Sequence, residues 1–102
     1  MIKIKIGYND NLIDNIKIIG HANFADYGKD IVCASVSSMV ITTVNACLSI
    51  NSNSLVYDEL NGLFIKNIID DEIIQKIVNN LINLLIELSN SYPKNINIEG
   101  KV

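Results

Sequence analysis

The sequence contains no arginine: its eight basic residues are all lysine, set against 11 carboxylates for a net charge of -3. Phosphate recognition favours a basic face and the forked guanidinium of arginine, so this composition argues against nucleic acid as a partner. Charge of either sign is scarce, at 19% of residues, below the roughly 25% of ordinary soluble domains. The apolar share is 49%, with 20 isoleucines, so a packed core is expected rather than disorder. The 102 residues suffice for one domain, 1–102, and exclude a second independent one. A sphere of that size does not hide so many aliphatic side chains, and the surplus points to a partner subunit covering part of the surface.

Cysteine and histidine are also sparse, with two thiols, Cys33 and Cys47, and one imidazole, His21. On one helix the 14-residue separation of the thiols corresponds to about 21 Å. A disulfide needs Cα atoms within about 7 Å, so the thiols are expected to stay free, as suits a reducing cytoplasm. One histidine and two distant thiols do not make a zinc ligand set, and no glycine-rich phosphate loop is present. No metal and no cofactor are expected. The N-terminus alternates residue by residue and shows no readable secretory signal.

Ile2, Ile4 and Ile6 alternate with Lys3 and Lys5, the period of a strand with one buried face, and residues 7–11 supply turn chemistry. Leu12 to Gly20 continues as the hairpin partner, after which residues 20–30 break every periodicity. From Ile31 to Ile50 no residue is charged, a length that would pass for a membrane span. Four serines, two threonines and an asparagine within it, without an aromatic belt or a flanking lysine cluster, argue for a buried helix instead. Asp30 suits its N-cap, and Ser35, Ser38, Thr42, Asn45 and Ser49 form one narrow polar stripe. The rest of such a helix requires cover nearly all round, by a sheet, a second helix and a twin subunit.

Leu55 to Asp58 and Leu63 to Ile68 read as a second hairpin turning at Asn61 and Gly62. Asp70, Asp71 and Glu72 open a second helix, with Ile74, Val78, Leu81 and Leu85 at helical spacing to about Ser91. Ile96 and Ile98 mark a short last strand. The order is ββαββαβ, an α+β domain with a mainly antiparallel sheet and two helices packed on it.

Cys33 falls at the third position of the first helix, where free backbone N–H groups and the positive dipole end favour a thiolate. His21 precedes the irregular loop and is within chain reach of it, the arrangement that activates a cysteine nucleophile. The N–H groups of the same turn are candidates for an oxyanion hole. Free cysteine is also a frequent core residue, and a lone histidine often only satisfies backbone groups, so packing is the competing reading. Asp30 has two readings, helix cap or orienter of the imidazole. Ser37, one turn beyond Cys33, either contacts thiol or substrate or bonds back to the Cys33 carbonyl. Cys47 sits mid-helix among apolar neighbours and is assigned no role.

The run Gly20-His21-Ala22, then Gly28 through Asp30 to Cys33-Ala34, then Ser37, and Val44-Asn45-Ala46, resembles the ribosomal-processing cysteine proteases of the Prp family. The resemblance implies His21 and Cys33 as the catalytic pair, with Asp30 and Ser37 in support. It also implies a mobile substrate loop made of Ala22, Asn23, Phe24, Ala25, Asp26, Tyr27, Gly28 and Lys29. Members are small homodimeric bacterial endopeptidases that remove an N-terminal extension from large-subunit ribosomal protein twenty-seven, whose precursor is thus the implied peptide substrate. Ala25 and Asp26 stand where many members carry Gly-Glu, which stiffens the loop. The alternative function is a non-catalytic ribosome-assembly or peptide-binding module of the same fold. A thiol redox sensor ranks last, for want of a neighbouring resolving cysteine.

Overall fold

The computed structural model describes residues 1–20 and 31–100. β1 (Ile2–Asn9) and β2 (Leu12–Ile19) form an antiparallel hairpin, α1 (Ile31–Ile50) follows, and β3 (Val56–Asp58) and β4 (Leu63–Lys66) form a second hairpin. α2 (Glu72–Ser91) and β5 (Ile96–Glu99) complete the expected ββαββαβ order. The strands lie in one sheet in the order β3-β4-β2-β1-β5, antiparallel throughout except for the parallel pair β1–β5.

The first hairpin runs two or three residues further than alternation alone suggests. Its turn is the pair Asp10 and Asn11, at φ 51° and 70°, a left-handed backbone that short polar side chains tolerate. A bulge at Gly7/Tyr8 explains the extension. Ile13 and Ile16 are three residues apart, an odd spacing that in a regular strand would send them to opposite faces. The extra residue puts both in the core, where each is at most 5% exposed. At the second turn Asn61 has φ 62° and Gly62 φ 145°; a Cβ on Gly62 would stand 2.7 Å from the Ile18 carbonyl oxygen.

The inward row of the sheet (Ile2, Ile4, Ile6, Ile16, Ile18, Ile65, Ile96, Ile98) forms one cluster with the buried faces of both helices. α1 contributes Val32, Val36, Val40, Val44 and Cys47, a row at helical spacing that compensates by packing for the poor helix propensity of valine. The serine and threonine stripe faces outward, and Ser35 and Ser49 return hydrogen bonds to the carbonyls of Ile31 and Ala46. The cover all round that composition implies for α1 is not found within one subunit: Ile31 is 54% and Ile41 40% exposed. α2 is amphipathic, with Ile74, Val78, Leu81, Ile82 and Leu85 buried. Its N-cap is Asp71, whose Oδ2 accepts from the Ile74 N–H at 3.0 Å, and it ends with the Tyr92 N–H donating to the Leu88 carbonyl.

Gln75 ties α2 to the bulged strand. Its Oε1 accepts from the Ile13 N–H at 2.9 Å, and its Nε2 donates to the carbonyls of Ile13 and Ile69 at 2.9 and 3.1 Å. A single side chain thus satisfies three backbone groups at the seam between sheet and helix.

Candidate active site

The head of α1 lies over the end of the first hairpin and the turn of the second. Cys33 and Ser37, one helical turn apart, open on a cavity of about 180 Å³ whose other walls are Ile2, Val36, Ile18, Gly20, Gly62 and Leu63. Cys33 is half-buried, and Gly20 is the residue that precedes His21 in the chain. The cavity floor is apolar sheet core. Gly20, at φ 87° with the Met1 carbonyl oxygen pressed against it, leaves no room for a Cβ, so it holds the end of β2 close to the N-terminus.

The second thiol contrasts with the first. Cys47 is 0% exposed within the same helix, and burial pushes its thiol up from the ordinary value, which keeps it protonated and unreactive. Neither thiol is in a disulfide. Larger hollows occur between the first hairpin tip and α2, at about 670 Å³, between the helices, at about 650 Å³, and on the far face of the sheet, at about 390 Å³. None of the three is lined by a cysteine, so chemistry rather than size selects the smaller cavity at the head of α1.

Of the site residues expected from sequence, the structure brings Cys33 and Ser37 to one cavity wall. Among the described hydrogen bonds Ser37 makes no return bond to the Cys33 carbonyl. His21, Asp30 and the loop from Ala22 to Lys29 lie outside the described residues. The walls at Ile2, Gly62 and Leu63 were not anticipated. They come from strands about 30 residues to either side of Cys33, and no local spacing announces them. Among the described residues no three His, Cys, Asp or Glu side chains come together as a metal cluster.

The family described as cysteine protease Prp matches residues 1–97 of this chain. A ribosomal processing cysteine protease Prp of Staphylococcus aureus is 30% identical over 106 residues, covering 99% of this chain and all of that protein. A Prp of Bacillus subtilis is 45% identical over 40 residues, 39% of this chain and 36% of its own length. Among solved structures, an essential ribosomal processing protease Prp from S. aureus with a covalently linked product peptide superposes with a TM-score of 0.89. It shares 27% identity, with 99% of this chain and 100% of that one covered. The S. aureus Prp in complex with a substrate peptide matches over the same shares at 0.83.

Likeness in sequence and in fold over nearly the full chain gives the class, a cysteine protease. Within that class the chain belongs to the Prp family, the ribosomal processing cysteine proteases. The non-catalytic module is thereby set aside in favour of an enzyme.

Proposed function

We propose that this protein is a cytoplasmic, homodimeric cysteine endopeptidase that removes the N-terminal extension of bacterial large-subunit ribosomal protein twenty-seven, with Cys33 as nucleophile and His21 as its base. The observation that carries the reading is the difference between the two thiols. Cys33 opens on a cavity in the first turn of α1, and Cys47 is sealed in the core of the same helix. The positive end of the helix dipole favours a thiol in the first turn as the thiolate, and backbone N–H groups of such a turn suit the oxygen of a tetrahedral intermediate.

In the proposed cycle His21 takes the proton of the Cys33 thiol, and the sulfur attacks the scissile carbonyl carbon. The tetrahedral intermediate collapses with loss of the amine, which His21 protonates, leaving an acyl-enzyme. Water, deprotonated by the same imidazole, attacks the thioester carbonyl and regenerates the thiol. The S. aureus Prp with its covalently linked product peptide supports a covalent route. Asp30 caps α1 or orients the imidazole. Ser37 touches thiol or substrate, a role supported by its lining the same cavity as Cys33. The loop from Ala22 to Lys29 admits an extended peptide.

Two thiols outside any disulfide suit a reducing cytoplasm. Exposed Ile31 and Ile41 on an uncharged helix support a second subunit. The test uses a peptide spanning the ribosomal extension and its mature end. Cys33→Ala is expected to lose cleavage by a factor of 10³ or more and Cys47→Ala to retain it, read by mass spectrometry. Full cleavage by Cys33→Ala ends the assignment. The protein should also take up one iodoacetamide quickly, at Cys33; equal sluggishness of both thiols argues against an activated sulfur.

A further inference from the structure

The two helices cover one face of the sheet and leave the other open. Strand periodicity sends Lys3 and Lys5 of β1, Lys17 of β2 and Lys66 of β4 to that open face, four of the chain's eight lysines. Lys5 stands directly across from Lys17, and Lys3 across from Ile19. Like charges in direct cross-strand register are destabilising. The carboxylates facing them are Glu99, opposite Lys5 on β5, and Asp58, opposite Phe64 on β3. Of these, Asp58 is engaged with Lys66 at 3.4 Å, and among the described ion pairs none holds Lys3, Lys5 or Lys17. Between the lysines runs apolar surface: Phe64 pairs with Lys17 across β2 and β4, and Ile19 is 43% exposed. Lys3, Lys5, Lys17, Ile19 and Phe64 line a hollow of about 390 Å³ together with the acidic Glu99.

We propose that this open sheet face docks single-stranded RNA, with Phe64 as a stacking platform and Lys3, Lys5 and Lys17 as phosphate contacts. An apolar ring and ammonium groups that no described ion pair holds, gathered in one hollow of the sheet face, match the two-sided chemistry of an unpaired strand, whose bases offer π-faces and whose backbone offers negative charge. An added peptide strand would take the sheet edge instead, through main-chain hydrogen bonds. Lysines without arginine act as point charges and read no base edge, so the binding is tolerant of sequence. The protein's net charge of -3 conceals the surface. Total charge counts every residue once, whereas the period of two sorts the lysines of three strands onto one side. The face is distinct from the Cys33 cavity, which lies on the helix side of the sheet, and the proposal stands independently of the protease assignment.

The test is fluorescence anisotropy of a labelled 12-nucleotide oligouridine titrated with the full chain at several salt concentrations. Saturable binding is expected, with log K falling linearly in log salt at a slope near -2 for three phosphate contacts, at about 0.7 each. Lys5→Gln/Lys17→Gln should shallow that slope by about 1.4 without lowering the thermal transition, which relief of the like-charge pair can only raise, and with peptide cleavage unchanged. Phe64→Ala should weaken binding roughly tenfold at every salt concentration with the slope preserved. Absence of saturable binding, or affinity indifferent to the lysine pair, overturns the proposal. So does polyglutamate binding as tightly as RNA of equal charge, which would mark the face for an acidic protein instead.

Discussion

At the scale of single residues, the titrating groups outside the cavity show how environment fixes ionisation. Tyr57 is pushed up to about 12, by burial first and then by its hydroxyl bond and the charge of Glu59, 3.0 Å away. A group whose folded value exceeds its unfolded one stabilises fully below the unfolded value. The Tyr57 contribution is therefore complete below about pH 10 and is lost as pH rises through about 12. In Tyr57→Phe the denaturation midpoint should decline less over that alkaline range than in the parent protein. Asp58 behaves oppositely: the Leu60 N–H that it accepts, and then Lys66, hold its carboxyl below the usual value. Its contribution is present above about pH 4 and is lost as pH falls through the lowered value, so Asp58→Asn should flatten the acid limb of the same titration.

The placement of Cys33 in the first turn of an uncharged helix was legible from the sequence, and the burial of Cys47 from its apolar neighbours. Both follow from local sequence. Gln75 was not legible at all. Nothing about a glutamine in the first turn of a helix announces that it will satisfy the Ile13 backbone 62 residues away.

At the scale of elements, Gln75 makes the connection between α2 and the bulge a point of weakness. Gln75→Ala would strand the Ile13 N–H and the Ile69 carbonyl in a half-buried seam. It should cost roughly 1–3 kcal/mol in urea unfolding, whereas a neutral change at exposed Asn79 should stay within about 0.5. Loss at Gln75 no larger than at Asn79 would show that water replaces the side chain. In α1, Val36 touches both the sheet core and the Cys33 cavity. Val36→Ala should remove about 1–3 kcal/mol and also slow peptide cleavage, because the lost volume lies behind the thiol.

Both helices and both hairpins were readable because each buries one face, and burial of one face imposes its period on the sequence. The length of the first hairpin was harder. Its alternation is interrupted at the bulge, and the odd spacing of Ile13 and Ile16 looks like noise until the extra residue is placed in register.

At the scale of the whole molecule, α1 is covered on one side only. A 20-residue uncharged helix that leaves Ile31 and Ile41 exposed accords with a second subunit against it. Ile41→Asp should shift the sedimentation of the proposed homodimer toward monomer at micromolar concentration without unfolding it, since the side chain is 40% exposed. An unchanged sedimentation coefficient would move the contact elsewhere.

The sequence alone determined the order of the elements, the single core they surround, and which of two thiols sits at a helix start, because these follow from side-chain period and from backbone groups a few residues apart. Tertiary structure alone decided that β5 runs parallel beside β1, that Gly62 and Leu63 close the wall opposite Cys33, and that four lysines share an open face. Those outcomes depend on which strands pair and which sheet face the helices cover. The free energy that settles them comes from burying surfaces far apart in the chain, which leaves no mark on local spacing.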